Sequence, residues 1–423
     1  MKKVLIIAYY WPPAGGPGVQ RWLKFITYLR DFNIEPVLYI PENPHYPIQD
    51  TSLLKEIPEG IFIYKKPIFE PYKLAGIFSS KKTNRISSGL IQTKKQSFLE
   101  KAFLWVRGNL FIPDARKFWV EPSISFLEDV IKKEKIETII TTGPPHSVHL
   151  IGLGLKKKLN ITWISDFRDP WTTIGYHKKL KLTEASKRKH KLLESKVLNS
   201  ADKIIVTSAT TKNVFKAITK QPIEVITNGY DIQIANDVAL DSKFTIAHIG
   251  SLLTGRDPNV LWQALSELLI ENADFKKLFS LQLVGVVSDD VLENIKKYSI
   301  HNNTEIVGYL SHNNAISFQR KSQVLLLIEI NSEETKGIIP GKVFEYLAAK
   351  RPILGVGPKD WEVGQLIKET NAGEAFTYDS KEKLKEIILK WFNLYLVNKL
   401  KSTSNSIEKY SRKALTEQLA KHL

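Results

Sequence analysis

The chain has 423 residues, enough for two or three domains at roughly 150 residues each. Its hydrophobic content of 43% and aromatic content of 10% are typical of a globular protein and exclude predominant disorder. The absence of Cys excludes disulfides, thiolate metal sites and a Cys nucleophile. The net charge of +17 is concentrated in two stretches, residues 65–118 with 12 Lys/Arg against 3 Asp/Glu and residues 178–196 with 8 against 2. We therefore expect an anionic partner, which would be membrane lipid, a phosphorylated substrate or nucleic acid.

The N-terminal sequence MKKVLIIAYYWPP is basic and then apolar, like a signal peptide. The apolar run is only about eight residues long, stops at Pro12 and lacks a small-residue cleavage site, so a buried first strand fits it better. No apolar segment reaches the roughly 18–20 residues that span a bilayer. We expect a cytoplasmic protein, either soluble or peripheral on the inner face of the cytoplasmic membrane.

Residues 1–235 alternate apolar strands with amphipathic helices. Consecutive apolar positions, as in VLIIAY and KIIVTS, are typical of strands buried on both faces. The repeated order of strand and helix predicts a parallel α/β sheet. The predicted strands cover residues 3–9, 36–40, 61–64, 137–142, 162–166, 203–207 and 224–227, and the predicted helices include 19–31, 123–133 and 147–158.

Residues 236–400 repeat this plan, which predicts a second doubly wound domain after a polar join at residues 230–243. Residues 401–423 would form a last helix, from about residue 406, after the break KSTSNS. The predicted strands of this half cover residues 244–250, 281–286, 305–307, 324–330, 353–356 and 374–377, and the predicted helices 258–271, 289–298, 315–321, 342–349, 361–370 and 381–392.

The α/β rhythm stops in a basic, aromatic stretch at about residues 65–118, which we interpret as an insertion outside the sheet. Residues 97–106, SFLEKAFLWV, have the period of a helix. We hypothesise that the insertion rests on anionic lipid, with Phe103 and Trp105 entering the surface. A helical pair packed on its own domain with solvated lysines is the alternative.

The strongest local signal is IIPGKVFEYLAAKRPIL at residues 338–354. Pro340 and Gly341 precede a predicted helix, whose first turn offers free N–H groups and a positive dipole end to an anion. Lys342 adds a full charge in that turn, and Glu345 lies on the same face one turn later. A carboxylate suits neighbouring sugar hydroxyls, so the pattern predicts a nucleotide-diphosphate site with Lys342 on the diphosphate and Glu345 on the ribose. An ordinary helix start with a solvated Lys–Glu pair is the alternative.

This stretch resembles the nucleotide-sugar site of retaining GT-B glycosyltransferases of family 4. Four other segments are similar to segments of the family and occur in the order that the family has them. GGPGVQR at 15–21 is similar to its glycine-rich loop, and NGYD at 228–231 to its NG-hydrophobic-D signature. GSLLTGRDP at 250–258 is similar to the opening of its second domain, and VGYLSHNN at 307–314 to the stretch lining the base. The resemblance extends over nearly the whole chain. It implies a GT-B fold, with two Rossmann-like domains facing a cleft that holds the donor.

Further polar residues follow predicted strands of the first domain. His146, in TTGPPHSVHLIG, falls at a loop–helix junction, and the resemblance implies contact with the donor sugar; a structural or capping His is the alternative. Asp166 and Asp169, in ISDFRDPWT, lie at a strand's carboxyl end and would bind acceptor hydroxyls. An internal pair with Arg168 is the alternative for these carboxylates.

The residues and the resemblance together predict three groups of site residues. The sugar-binding part departs from the family, because the position of its second Glu is Gly337 here, with Glu333 and Glu334 nearby but out of register. The predicted catalytic residues are His146, Arg256 and Lys342; the donor-binding residues are Gly16, Gly250, Ser251, Arg256, Gly341, Lys342, Val343 and Glu345; the acceptor-binding residues are Gly15, Arg21, Asp166 and Asp169.

No DxD element and no metal-ligand spacing is present in the sequence, so we expect neither a metal nor another cofactor, with the nucleotide-diphosphate sugar as co-substrate. The predicted function is a retaining, metal-independent hexosyltransferase that moves a sugar to a glycan or lipid-linked acceptor in surface polysaccharide or lipopolysaccharide biosynthesis. A GT-B sugar-nucleotide epimerase is one alternative. A non-catalytic nucleic-acid-binding protein is another, although no nucleic-acid module is recognisable and we expect no nucleic-acid partner.

Overall fold

The computed structural model of the protein describes residues 1–70, 98–178, 180–231 and 238–423. The middle of the predicted insertion and part of the predicted domain join therefore lie outside the described residues. The chain divides into two compact units, Met1–Asn228 together with Arg412–Leu423, and Gly229–Ser411. Each unit has its own sheet and its own hydrophobic core.

Seven described strands form one parallel sheet in the first unit, in the order β3-β2-β1-β4-β5-β6-β7. The central strands are buried on both faces, as their consecutive apolar residues predict. The strand order reverses between β1 and β4, and ligands of open α/β sheets bind at such a point, beyond the carboxyl ends of the strands. The strands are β1 Lys2–Ala8, β2 Ile34–Pro41, β3 Phe62–Lys66, β4 Thr138–Gly143, β5 Thr162–Phe167, β6 Lys203–Val206 and β7 Ile223–Val225.

The helices of the first unit begin where local sequence favours a start. Pro17 occupies the first turn of its helix, and the Thr183 and Ser208 hydroxyls cap the helices that follow them. The last helix of the chain packs against the first one. The helices are α1 Pro17–Leu29, α2 Phe98–Leu110, α3 Val120–Glu134, α4 Ser147–Lys158, α5 Gly175–Lys178, α6 Glu184–Ser200, α7 Ala209–Lys216 and, at the end of the chain, α15 Arg412–Ala420.

The second unit repeats the architecture with six described parallel strands in the order β10-β9-β8-β11-β12-β13. Its order reverses between β8 and β11, which places the ligand-binding edge at the loops after these two strands. The strands are β8 Phe244–Ile249, β9 Phe279–Val284, β10 Thr304–Gly308, β11 Val324–Ile328, β12 Ile353–Val356 and β13 Gly373–Phe376. The helices are α8 Asn259–Glu271, α9 Ala273–Leu278, α10 Asp289–Lys297, α11 His312–Lys321, α12 Lys342–Ala349, α13 Glu362–Glu369 and α14 Lys381–Leu396.

The predicted fold class is confirmed, because both halves contain a doubly wound parallel sheet. Most predicted elements lie within a few residues of observed ones, and the helix predicted at 147–158 has those limits in the structure. The predicted last helix begins later, at Arg412 rather than at about residue 406. No described helix is both long and apolar enough to cross a membrane.

Helix α4 packs closely on the first sheet because Gly152 has no side chain. A Cβ at this position would lie 2.4 Å from two atoms of the Trp163 indole. That indole is fully buried, and its Nε1–H donates to the Thr141 hydroxyl at 2.9 Å. The ring is therefore held by packing and by a hydrogen bond, and it has little freedom to move aside.

We predict that Gly152→Ala destabilises the first unit by about 1–3 kcal/mol, because the overlap with Trp163 outweighs the higher helix propensity of Ala. Chemical denaturation followed by tryptophan fluorescence measures this loss. Gly364→Ala is the matched control, since a Cβ there meets only the Ala375 Cβ, at 3.3 Å. An equal effect of the two substitutions would contradict the packing argument.

Candidate functional site

The Lys342 side chain lies at the point where the strand order of the second sheet reverses. It is the first residue of α12, and its ammonium is 3.2 Å from Nε2 of His248 and 3.3 Å from the carbonyl oxygen of Ile249, both on β8. No described carboxylate forms a salt bridge with it. A partly buried cation with only neutral partners is poised to bind an anion.

The surroundings of Lys342 disfavour its charged form. Burial, followed by the charge of Arg256, lowers its pKa to about 7, while Glu329 and Glu345 oppose this shift. An anionic ligand would add the charge compensation that the site lacks. Binding of an anion and protonation of Lys342 therefore favour each other.

Arg256, in the loop after β8, is held by a carboxylate at the end of β11. Its Nε and Nη2 groups donate to the two oxygens of Glu329 at 3.2 and 3.3 Å. Glu329 is buried, whereas the Arg256 side chain is 33% exposed. The pair fixes the orientation of the guanidinium, and Nη1 has no described hydrogen-bond partner and remains for a ligand.

Glu345 lies one turn into α12 and accepts a hydrogen bond from Nε2 of the buried Gln319 at 2.9 Å. That contact engages only one carboxylate oxygen. Gly341 precedes the helix, and no side chain caps the helix start. The Val343 side chain is fully buried, and its N–H donates to the carbonyl of Pro340. A contact between the Val343 N–H and the predicted nucleotide-sugar donor would have to compete with this hydrogen bond.

Gly250 forms the sharp turn after β8 with φ of 120°, a conformation that favours glycine. A Cβ here would lie 3.4 Å from the Lys342 ammonium, so glycine leaves that side of the charge uncovered. Ser251 follows it and is exposed. The loop thus offers backbone and hydroxyl groups beside two cations.

The first unit contains a cavity of about 340 Å³ beyond the carboxyl ends of β4 and β5. His146 lines it, is 4% exposed and stacks on the Trp171 ring at 4.9 Å between ring centres. Neither His146 ring nitrogen has a hydrogen-bond partner in the described part of the chain. Burial and the neighbouring His149 lower the pKa of His146 well below its ordinary value, so the ring is neutral and can donate from one nitrogen and accept at the other.

Asp169 lines the same cavity, and no described residue forms a hydrogen bond or salt bridge with its carboxylate. Burial raises its pKa, and the charge of Arg168 opposes that shift. The structure therefore brings together His146 and Asp169, which the sequence assigned to donor and acceptor, in one cavity of the first unit. Unsatisfied polar groups of this kind favour a ligand that carries hydroxyls.

Arg21 and Asp166 have a different environment. Both are buried and pair with each other at 3.2 Å, and the same carboxylate accepts hydrogen bonds from the Trp22 indole and the Thr142 hydroxyl, both at 2.8 Å. Arg21 also donates to the carbonyl of Thr227. These contacts join α1 to strands β4 and β5, so in this structure neither group faces solvent or an acceptor.

Gly15 and Gly16 lie between β1 and α1. The Gly15 N–H donates to the carbonyl of Ile48 at 3.0 Å, which ties this loop to the segment after β2. Gly16 has φ of 108°, and a Cβ there would meet open space. The positive φ requires glycine at this position, while its surroundings leave room for a ligand.

The carboxylates near the family's missing Glu lie on the surface. Glu333 is exposed and pairs with Lys336 at 2.6 Å, and Glu334 is also exposed. Among the described residues, no group of three or more His, Asp or Glu side chains is placed to hold a metal ion.

Sequence reasoning missed His248 and Glu329, which orient Lys342 and Arg256. Each gives a signal that could have been used. His248 interrupts the apolar run FTIAHIG, and Glu329 directly follows the apolar run VLLLI. A polar side chain inside a buried parallel strand, or at its carboxyl end, needs a partner.

The comparisons with known proteins agree with this architecture. The model of a family described as Glycosyltransferase Family 4 matches residues 93–234, most of which lie in the first unit. No curated protein matches the sequence. Many solved structures match the fold.

Three of these structures cover both units. Staphylococcus aureus TarM, solved with fondaparinux, α-GlcNAc-glycerol and UDP, is 12% identical with a TM-score of 0.61, covering 100% of this chain and 99% of its own. The lipopolysaccharide outer core galactosyltransferase WaaB is 16% identical with a TM-score of 0.58, at 100% and 99% coverage. The UDP-GlcNAc 2-epimerase of Methanocaldococcus jannaschii is 11% identical with a TM-score of 0.52, at 100% and 99% coverage.

The architecture is that of the GT-B class, two doubly wound α/β units as in these transferases. The predicted resemblance to glycosyltransferase family 4 is confirmed by the family match together with this fold.

Four buried histidines around the cavity make the stability of the first unit depend on pH. Burial lowers the pKa of His149 to about 3 and that of His177 to about 4, and it also lowers those of His146 and His190. Because the unfolded chain binds these protons near the ordinary value, about 6.5, the folded state loses stability as pH falls below that value. We predict a free energy of unfolding that decreases from pH 7 to pH 5, by up to about 1.4 kcal/mol per pH unit for each histidine.

Urea denaturation at several pH values measures this slope. His149→Gln should flatten it, because one titrating group is removed, whereas His301→Gln, at an exposed position of the second unit, should leave it unchanged. Identical slopes for the two variants would contradict a role of buried histidines.

Proposed function

We propose that the protein is a glycosyltransferase that moves a sugar from a nucleotide-diphosphate donor to a glycan or lipid-linked acceptor. The observation that carries the proposal is the Lys342 ammonium, partly buried without a described carboxylate partner, beside Arg256 and at an uncapped helix start. The family match and the GT-B fold support the same class of reaction.

The donor's diphosphate would lie against Lys342, Nη1 of Arg256 and the loop at Gly250 and Ser251. Negative charge grows on the diphosphate as the bond to the sugar breaks. Fixed cations therefore stabilise the transition state more than the bound donor, which is the requirement for catalysis. No metal ion is needed in this proposal, because the two side chains supply the positive charge.

Glu345 would bind the ribose hydroxyls with the oxygen that Gln319 leaves unengaged. The loop after β8, with Gly250 and Ser251, would approach the diphosphate through its backbone. Gly341 would contribute its N–H at the helix start. Val343 would only add support behind the site, since its side chain and its N–H are both engaged.

The cavity of the first unit would bind acceptor hydroxyls. Asp169 and His146 offer a carboxylate and a neutral imidazole without described hydrogen-bond partners, and Gly16, after β1, has open space beside its backbone. We propose transfer with retention of configuration, in which the acceptor hydroxyl attacks from the face that the diphosphate leaves. A phosphate oxygen would then take the proton, so that no separate protein base is required.

We predict that Lys342→Ala lowers nucleotide release from a sugar-nucleotide panel by about 100-fold or more, because a fixed cation on the leaving group is lost. Glu345→Gln should mainly raise the KM for the donor, since the ribose contact is present before and during the reaction. Coupled detection of UDP, GDP and ADP measures both. Lys368→Ala, an exposed lysine of the same unit, is the control that should keep full turnover.

Turnover that is equal in Lys342→Ala and Lys368→Ala would contradict the proposed site. Because the fold is also similar to that of an epimerase, the assay must also detect isomerisation of the sugar nucleotide. If NMR shows that a sugar nucleotide is converted to an isomer while its nucleotide stays attached, the proposed transferase activity is wrong and the protein is an epimerase. The NMR coupling of the transferred sugar's anomeric proton tests retention.

A surface patch near α2 supports the proposed contact with an anionic membrane. We define this aromatic patch as Phe69, Phe111 and Phe118, of which Phe118 is 44% exposed; Trp105, on α2, is 43% exposed. The Phe118 ring lies 5.6 Å from that of Phe69 and 6.2 Å from that of Phe111. The Lys117 ammonium lies 5.4 Å from the centre of the Phe111 ring and 5.2 Å from that of the Phe118 ring. Exposed aromatics beside a cation suit the interface of an anionic bilayer.

We predict that the protein floats with vesicles containing phosphatidylglycerol but not with phosphatidylcholine vesicles. Trp105→Ser combined with Phe118→Ser should weaken this binding by at least about tenfold, because two apolar side chains no longer enter the interface. Tyr309→Ser, which removes an aromatic that is 87% exposed in the second unit, is the control. Equal behaviour with the two lipids, whether both bind or neither does, would exclude a contact that depends on anionic lipid.

A further inference from the structure

His248 is the closest polar neighbour of the proposed diphosphate site that the sequence motifs do not include. It lies on β8 and is fully buried. Its Nδ1 is 3.0 Å from the carbonyl oxygen of Leu326 on β11, and its Nε2 is 3.2 Å from the Lys342 ammonium. The imidazole therefore links two central strands to the first residue of α12.

The hydrogen-bond partners decide which nitrogen of His248 carries the proton. A backbone carbonyl only accepts, so Nδ1 must be the donor toward Leu326. Burial and the charge of Lys342 lower the pKa of His248 well below its ordinary value, which keeps the ring neutral. Nε2 then carries no proton, so in its contact with Lys342 the imidazole accepts the hydrogen bond and the ammonium donates it.

A lysine ammonium has three N–H groups. One donates to Nε2 of His248 and a second to the carbonyl of Ile249. The third has no described partner, and the missing side chain of Gly250 leaves that side of the ammonium open, since a Cβ there would lie 3.4 Å from Nζ. Two neutral acceptors thus determine the direction of the remaining N–H.

We propose that His248 is a positioning residue: held as the Nδ1–H tautomer by Leu326, it orients the Lys342 ammonium so that one N–H remains for an oxygen of a diphosphate. This inference rests on the proposed function of Lys342. In this role the strand residue His248 acts through Lys342.

A dependence of ligand binding on pH follows from the groups around Lys342. Those that face it are Arg256 in the loop after β8, Glu329 at the end of β11, Glu345 on its own helix and neutral His248 on β8. Burial, followed by the charge of Arg256 and opposed by Glu329 and Glu345, gives Lys342 a pKa of about 7 in the absence of ligand. Because a diphosphate needs the ammonium, its affinity should fall as pH rises above about 7.

The test is calorimetric titration of the full-length protein with UDP and with inorganic pyrophosphate between pH 6 and pH 9. We expect His248→Leu to bind at least about tenfold more weakly than the unmodified protein, since a hydrogen bond from a charged donor is lost. The fall in affinity should also begin at a lower pH, because the ammonium has lost an acceptor that stabilises it. Comparison of variants at each pH cancels the titration of the ligand itself.

Two further variants separate positioning from folding. His248→Gln can return an oxygen to the place of Nε2 and should recover most of the affinity. Ile246→Val removes a buried methyl group from the same strand and should lower the unfolding temperature without altering affinity or its pH profile. A loss in His248→Leu that is constant across pH, or that Ile246→Val reproduces, would show a merely structural role and overturn the inference.

The outcomes distinguish this inference from the proposed function. Binding of UDP or pyrophosphate that is equal in the unmodified protein and in His248→Leu overturns the inference alone. Absence of binding of UDP, GDP, ADP and pyrophosphate to the unmodified protein overturns both. Weaker binding with a shifted pH profile, together with recovery in His248→Gln, supports both.

Discussion

The partly buried ammonium of Lys342 is the constraint on which the proposed chemistry depends. Removing a cation from water is costly unless other groups compensate for its charge. Here the direct partners are an imidazole and a backbone carbonyl, both neutral, and the neighbouring Arg256 adds repulsion. The second unit therefore holds a positive charge that its surroundings compensate only in part, and an anionic ligand would stabilise it. The sheet of this unit allows such a ligand to bind, because the loops after β8 and β11 meet where the strand order reverses.

Buried ion pairs have a different purpose in this protein. Arg21 with Asp166, and Arg116 with Glu70, join segments that are far apart in the first unit, while Glu329 orients Arg256 in the second. Such pairs contribute little net stability, because desolvation offsets attraction, but removing one partner is costly. Their effect is to fix loops and guanidinium groups in place. That rigidity is what a site needs if its charges are to be aimed before the substrate arrives.

The two units thus offer complementary chemistry. The second unit presents cations at a helix start, which suits a phosphorylated leaving group. The first unit presents a cavity with the neutral His146 and with Asp169, whose pKa is raised by burial, which suits hydroxyl groups. Most of the excess positive charge lies elsewhere in the sequence than the residues of both sites, and the basic stretch 65–118 includes the residues of the aromatic patch. The proposed anionic partners are therefore different, a lipid surface for the basic stretch and a diphosphate for the Lys342 site.

The amino-acid sequence determined the fold class, because buried parallel strands and amphipathic helices are encoded by local runs and periods. It also predicted the positions of Lys342 and Glu345 on one helix face, since three residues along a helix is a local spacing. The roles of Arg21 and His248 needed the tertiary structure. Arg21 follows a glycine-rich loop that suggested a ligand, yet strand β5 brings Asp166 against it. His248 meets Lys342 only because β8 and β11 are neighbours in the sheet, and pairing between residues distant in sequence leaves no local pattern.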